Sequence, residues 1–140
     1  MVQHDALQES LVTCMAGFIQ IDVKLGETEL NLAEVRTGLT AFTVQSPGLA
    51  VLPELWAAGF DYPRMAEHAE NTAELLEALR EEAICYNIYI CGSLPEKIVA
   101  AGRIRIYNTL YSVGPEGVVG SFLKQPLFAT IAAEQSFNAG

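Results

Sequence analysis

Residues 49–54 read LAVLPE, a short apolar run that ends at a proline and a carboxylate. Consecutive apolar residues next to a chain breaker predict a buried strand of the kind found in parallel sheets. Similar runs lie on either side along the chain, at residues 12–21 (VTCMAGFIQI) and 86–91 (YNIYIC). The first of these is nearly unbroken, which is typical of a strand covered on both faces. Residues 49–52 (LAVL) are therefore predicted to be the second of these three strands, which ends at Pro53.

Two amphipathic helices are predicted between these strands. In the first, Thr28 is the expected N-cap, and apolar residues then follow at spacings of three and four. Its apolar positions are Leu30, Leu32, Val35, Leu39 and Phe42. In the second, Asn71 is the expected cap and Glu74 completes a capping box. The apolar face of that helix is formed by Leu75, Leu76, Leu79 and Ala83.

A β-hairpin is predicted after the third strand. Residues 103–113 alternate between apolar and polar, residues 114–117 (GPEG) form a turn, and residues 118–123 return. The predicted order is β-α-β-α-β followed by the hairpin, an α/β fold with a mostly parallel sheet and right-handed crossovers. At 140 residues, the chain has the length of one domain.

Composition excludes several classes of function. Eight Lys and Arg against 17 Asp and Glu give a net charge of −9, so no nucleic-acid partner is expected. No apolar run is long enough for a membrane span, and the N-terminus does not resemble a signal peptide, so we expect a cytoplasmic protein. The cysteines Cys14, Cys85 and Cys91 form no metal-binding motif and are expected to be buried. Neither a metal nor a cofactor is expected.

Glu54 is the first candidate for chemistry. It directly follows a predicted buried strand, at the carboxyl edge of the sheet, where α/β folds bind ligands. A carboxylate partly removed from water there suits a general base. The alternative interpretation is structural: Glu54 caps the next turn or pairs with Arg64.

Lys124 is the second candidate, at the end of the returning hairpin strand. An ammonium among apolar neighbours needs an anionic partner or solvent. It is therefore either a solvated strand end or a group that stabilises an oxyanion.

Short motifs surround these two residues along essentially the whole chain. They are FIQ at 18–20, GE at 26–27, NL at 31–32, LPE at 52–54, GF at 59–60, GS at 92–93, YNT at 107–109, PEG at 115–117 and FLKQPLF at 122–128. In this order and at these distances the chain resembles the nitrilase superfamily of carbon–nitrogen hydrolases. Residues 1–140 are interpreted as the N-terminal half of such a protein.

The resemblance implies a Glu–Lys–Cys catalytic set in an amidase-type hydrolase of small non-peptide amides. Glu54 would be the general base that deprotonates the thiol, and Lys124 the ammonium that stabilises the tetrahedral intermediate. Glu134, which precedes Phe137 and Gly140, is similar in placement to a second family glutamate that orients the lysine and binds substrate.

The sequence departs from the family in two places. The family's nucleophilic cysteine lies downstream of every motif found here, and none of the three cysteines fits its place, so this chain alone is expected to be inactive. Pro126 stands where many members carry a histidine, which changes the loop that presents Lys124. A catalytically inactive scaffold of the same fold and an unrelated α/β ligand-binding domain are the alternatives.

The family fold implied by the resemblance is a four-layer α-β-β-α sandwich made of two similar halves. This chain would supply one half and part of the second sheet. An uncovered sheet face and exposed strand edges then predict association, and we expect a homo-oligomer.

Overall fold

The computed structural model describes residues 14–42 and 48–124, which form one five-stranded sheet with helices. The strands lie in chain order across the sheet. They are β1 (Met15–Phe18), β2 (Gly48–Val51), β3 (Ile88–Ala100), β4 (Arg103–Gly114) and β5 (Gly117–Leu123). The helices are α1 (Thr28–Leu39), α2 (Met65–Glu70) and α3 (Thr72–Tyr86), and a 3₁₀ turn (Tyr62–Arg64) precedes α2.

The two predicted helices are present as α1 and α3, but their first residues differ from the prediction. Thr28 is the first residue of α1 rather than its N-cap, and the capping position, Glu27, makes no side-chain capping bond. Asn71 does precede α3, yet its side chain also makes no capping bond, because α2 ends there and Asn71 has helical backbone angles. The short helix α2 was not predicted.

The sheet is mixed rather than mostly parallel. β1, β2 and β3 pair in parallel, whereas β3, β4 and β5 pair antiparallel. The predicted third strand, residues 86–91, was too short, because Gly92 was interpreted as its end whereas β3 continues to Ala100. β2 pairs with β3 only as far as Cys91. Beyond that point β3 is an edge on one side, where a proline without an N–H is tolerated.

The main core lies between α1, α3 and one face of the sheet. The cross-strand row Ala50, Ile90 and Val113 is fully buried on this face, against apolar side chains of the helices. The helix residues are Leu32, Val35, Leu39, Leu75, Leu79 and Ala83. Burying large aliphatic side chains of this kind stabilises a fold by roughly 1.5–3 kcal/mol each. We call this the helix-covered face.

The opposite face carries exposed apolar side chains. Phe18 pairs with Val51, and Leu110 pairs with Phe122, and their exposed fractions are 78%, 42%, 42% and 60%. We call these four residues the open face. β1 was expected to be covered on both sides, but it is an edge strand with one side open, and most of its residues are exposed.

The three cysteines differ from the prediction that all are buried. Cys14 and Cys85 are exposed, and Cys91 is half-buried on β3. Cys14 stands next to an edge strand, and Cys85 lies on the solvent side of α3, away from the buried stripe at Leu75, Leu79 and Ala83. In residues 14–42 and 48–124, no helix is long and apolar enough to cross a membrane.

Candidate active site

Glu54 stands in a tight turn directly after β2. The backbone of β2 continues in register to Leu52, whose N–H donates to the carbonyl of Cys91 over 2.8 Å. Pro53 then ends the ladder because it has no N–H to donate. The sequence therefore sets Glu54 at the carboxyl end of a parallel strand, as predicted.

Leu55, the next residue, holds the turn in an unusual conformation. Its φ of +50° lies in the left-handed region, which costs about 1 kcal/mol or more for a residue with a side chain. The hydroxyl of Ser93 on β3 accepts the Leu55 N–H over 2.8 Å, and the Leu55 carbonyl accepts the N–H of Gly59 over 2.7 Å. The Leu55 side chain is also buried against α2 and β4. These contacts fix the backbone on the C-terminal side of Glu54.

Trp56 anchors the same turn to the sheet. Its side chain is fully buried, and it lies directly on Gly92 of β3. A Cβ added at Gly92 would come within 2.9 Å of the Trp56 ring, closer than carbon atoms can pack. A glycine is therefore required at this position for the turn that carries Glu54 to sit on β3.

Lys124 follows β5 directly, and its side chain meets that of Glu54. The Lys124 N–H donates to the carbonyl of Asn108 over 2.9 Å, which continues the β4–β5 ladder by one residue. Its ammonium donates to Oε1 of Glu54 in a direct ion pair. Two residues 70 positions apart in the sequence are therefore in contact. Arg64, the alternative partner considered for Glu54, pairs instead with Asp61 and Glu67.

Asn108 completes the polar group. Its side-chain amide donates to the same Oε1 of Glu54 over 2.8 Å. The YNT motif at residues 107–109 had been noted only as a family match, with no role for Asn108. A polar side chain among the buried residues of a central strand was the signal that could have identified it.

These residues line an open cleft of about 290 Å³. Its walls are mainly apolar, and three of its polar side chains, Glu54, Asn108 and Lys124, are hydrogen-bonded together. The lining residues are Leu52, Pro53, Glu54, Ser93, Asn108, Leu110, Phe122 and Lys124. A small neutral molecule with one polar end fits such a combination of apolar walls, carboxylate and ammonium.

A larger cleft of about 390 Å³ lies beside α1 and α3, away from Glu54. Three of its lining side chains are already paired: His68 binds Asp61 over 2.8 Å, and Arg64 binds Glu67 over 2.7 Å. The hydrogen bond and charge of Arg64 lower the pKa of Glu67, as expected for a surface pair. We therefore assign the chemistry to the smaller cleft at Glu54.

Two predicted features lie outside the described residues, namely Glu134 and the proline at position 126. Among residues 14–42 and 48–124, no group of three or more His, Cys, Asp or Glu side chains could hold a metal ion. In that part of the chain, the residues lining the cleft also include no cysteine.

Comparison with known proteins assigns the family. The carbon–nitrogen hydrolase family matches residues 16–138. A nitrilase of Pyrococcus abyssi is 26% identical over 121 residues, which cover 80% of this chain and 43% of the relative. A 2-oxoglutaramate amidase of Bacillus subtilis is 23% identical over 124 residues, which cover 87% and 46%. The chain thus spans less than half the length of these curated relatives.

A solved structure agrees in fold. It is a variant of the amidase of Nesterenkonia sp. AN1 in which acrylamide has added to the active-site cysteine. The superposition has a TM-score of 0.73 at 18% identity and covers 89% of this chain and 49% of the amidase chain. The mixed sheet and its helices are therefore a nitrilase-type α/β fold, and this chain belongs to the carbon–nitrogen hydrolase family.

Proposed function

We propose that this chain is the N-terminal half of an amidase-type carbon–nitrogen hydrolase that acts on small non-peptide amides. The observation that carries the proposal is the direct contact between Glu54 and Lys124 in a cleft with apolar walls. A carboxylate next to an ammonium supplies a proton acceptor and an oxyanion partner within one small volume.

Stability alone does not account for this pair. The side chains of Glu54 and Lys124 are 39% and 45% exposed. Ion pairs that are this exposed contribute only about 0–1 kcal/mol. The left-handed Leu55 beside Glu54 adds a conformational cost, and strained backbone of this kind is common at functional sites. Both features favour a chemical role for the turn.

In the proposed mechanism, Glu54 removes the proton from a cysteine thiol, and the thiolate attacks the amide carbon. Negative charge develops on the former carbonyl oxygen, where the Lys124 ammonium stabilises it. Collapse of this intermediate breaks the carbon–nitrogen bond, and Glu54 returns the thiol proton to the leaving nitrogen, so that ammonia or an amine is released, a thioester remains and Glu54 is again a carboxylate. Glu54 then activates a water molecule, which hydrolyses the thioester and restores the thiol. Glu134 is assigned the role of orienting Lys124 and binding substrate.

The nucleophile is proposed to come from a second half of the protein. None of the cysteines in this chain lies in a suitable place: Cys14 and Cys85 are exposed away from the cleft, and Cys91 faces Ser112 on β4 with Sγ and Oγ 3.1 Å apart. The curated relatives are more than twice as long as the matched segment. We therefore expect the 140-residue chain alone to hydrolyse no amide.

The open face supports a two-layer arrangement of sheets. Four large apolar side chains on one sheet face are more than a lone soluble domain normally exposes together. We propose that a second sheet covers them in an α-β-β-α sandwich, and that copies of the complete protein associate as a homo-oligomer. The edge of such a covering layer would also close the cleft at Glu54.

A catalytically inactive scaffold of the same fold is the second candidate. It is favoured by the absence of a cysteine among the described residues that line the cleft. The retained contact between Glu54 and Lys124 argues against it. Sequencing the gene beyond the codon for Gly140 separates the two, because a cysteine after a further strand is required by the enzyme.

The enzyme proposal is tested by replacing Glu54 with Gln in the protein that contains both halves. We expect ammonia release from small linear amides to fall about a thousandfold, because Gln cannot accept the proton. Glu67→Gln removes a carboxylate of an exposed ion pair elsewhere and should leave the rate unchanged. Equal activity of Glu54→Gln and the parent protein would remove Glu54 from the mechanism.

A further inference from the structure

Oε1 of Glu54 accepts two hydrogen bonds, one from the Lys124 ammonium and one from the Asn108 amide. Among the described residues, no hydrogen bond reaches Oε2 of the same carboxylate. The two oxygens of Glu54 are therefore unequal: one is held by two donors, and the other keeps its lone pairs free.

Asn108 is well placed to impose this difference. It lies within β4, opposite Pro95 of β3, and only 8% of the residue is exposed. Its backbone carbonyl accepts the N–H of Lys124 over 2.9 Å. Asn108 thus binds the Glu54 carboxylate through its side chain and the backbone N–H of Lys124 through its carbonyl.

Lys124 alone could not make the two oxygens of Glu54 unequal. An ammonium is a compact charge on a flexible stem, and it binds either oxygen of a carboxylate equally well. The side-chain amide of a residue fixed in a strand has its two N–H groups in set directions, and one of them points at Oε1. The orientation of Glu54 therefore depends on Asn108 more than on the ion pair.

The cost of keeping Asn108 also indicates a role beyond packing. Its Oδ1 is buried and has no hydrogen-bond partner among the described residues. A buried acceptor without a partner costs about 1–3 kcal/mol, and an apolar side chain of similar shape would avoid that cost. A residue retained only for packing would be expected to be apolar here.

We propose that Asn108 is a positioning residue that holds Oε1 of Glu54 against Lys124 and reserves Oε2 for proton transfer. This rests on the proposed function, in which Glu54 exchanges protons with the thiol and with water. Asn108 makes and breaks no bond in this scheme; it acts through Glu54.

The position of Glu54 can be tested in the 140-residue chain without any activity. A carbodiimide activates a carboxylate as an O-acylisourea, which an adjacent lysine converts to an amide with release of a urea. Glycine ethyl ester is added as a competing amine, which forms an amide with activated Glu54. Peptide mass spectrometry then gives the ratio of the Glu54–Lys124 crosslink to this glycine ethyl ester amide. In the parent chain we expect the crosslink to dominate.

Asn108→Leu removes the donor and the unpartnered acceptor together, so we expect it to fold. The freed carboxylate then samples about three staggered rotamers instead of one, and the crosslink ratio should fall roughly threefold. Asn108→Thr has a shorter side chain that suits a strand but does not reach Glu54, so it should lower the crosslink ratio in the same way. The Lys97–Glu70 pair gives a reference crosslink in the same digest, and its yield should not change.

A matched control is Asn31→Asp. Asn31 is a fully buried asparagine that bonds the carbonyls of Lys24 and Ala57 and does not touch Glu54. This variant should lower stability and leave the crosslink ratio of the folded chain unchanged. An unchanged ratio in both folded Asn108 variants overturns the proposal.

The activity of the protein with both halves gives the second measurement. Asn108→Leu should lower kcat by about 10- to 100-fold with little change in KM, because a misplaced base slows the chemistry and not the binding. Unchanged kcat in an active, folded variant overturns the proposal while leaving the proposed function intact. If neither parent nor variant hydrolyses amides but the crosslink ratio falls, the proposed function fails and the positioning by Asn108 stands.

Discussion

The helix-covered face and the open face belong to the same sheet and both carry apolar residues, but only the first is buried. The row Ala50, Ile90 and Val113 is fully buried beneath the helices, whereas Phe18 and Val51, one residue along on the other side, are exposed. The polar residues of the cleft stand beside this second face, next to Leu110 and Phe122. Stability in the described part of the chain is therefore concentrated on one side of the sheet, and the candidate chemistry on the other.

The largest expected loss of stability comes from shortening a buried side chain that packs on the helix-covered face. Leu79 is 1% exposed in the main core, so Leu79→Ala should lower the free energy of unfolding by about 2–5 kcal/mol. Phe18→Ala removes more atoms but from the open face, and it should cost less than about 0.5 kcal/mol. Urea unfolding of the two variants measures both values. A similar loss for Phe18→Ala would mean that another layer of protein covers the open face in solution.

An intermediate loss of stability is expected at Ser93, which binds the turn that follows Glu54. Ser93→Ala leaves the buried Leu55 N–H without its acceptor, so it should cost about 1–3 kcal/mol. Ser93→Thr keeps a hydroxyl and should retain most of the stability. Ser112→Ala, which loses only a contact with the Cys91 thiol, is the control and should change stability little. Equal losses for Ser93→Ala and Ser112→Ala would show that the hydroxyl does not hold the turn.

The smallest effect concerns alkaline pH and the helix-covered face alone. Burial, followed by the charge and hydrogen bond of Glu96, raises the pKa of Tyr111 well above its ordinary value of 10.0. A raised pKa in the folded state means that the unfolded chain loses the tyrosine proton first. The contribution of Tyr111 to stability is therefore complete below pH 10 and is lost as the pH rises further.

Tyr111→Phe should remove this dependence. Between pH 10 and 11.5 the parent chain should lose up to about 1.4 kcal/mol per pH unit more than the variant, which is the limit for one proton. Tyr89→Phe, at an exposed tyrosine on the other side of β3, should alter the slope much less. Identical slopes for the parent and Tyr111→Phe would contradict the burial of this hydroxyl.

Much of the fold was predictable because the pattern of apolar residues is local. The spacing of Leu32, Val35 and Leu39 defines the inner face of α1, and the alternation at residues 103–113 defines β4. Leu30 was wrongly placed on the apolar face and is 57% exposed, because a spacing of three or four does not fix how wide the buried stripe is. Helix α2 is only six residues long, too short for a periodic signal.

What could not be predicted depends on contacts between distant segments. The length of β3 follows from its pairing with β4, which overrides the breaking tendency of Gly92 and Pro95. The candidate site was identified through Glu54 and Lys124, whose contact agrees with the expected proximity. The roles of Ser93 and Asn108 in supporting that site were missed because their hydrogen bonds join segments that are distant in the sequence.

The bond between the Lys124 N–H and the Asn108 carbonyl is the last described rung of the β4–β5 ladder. This bond holds the backbone of Lys124 against β4, so the ammonium stays beside Glu54 only while the bond remains closed. Amide hydrogen exchange at Lys124 would therefore report directly how often the cleft loses its cation. The exchange rate of this one backbone amide thus measures how completely the site is assembled.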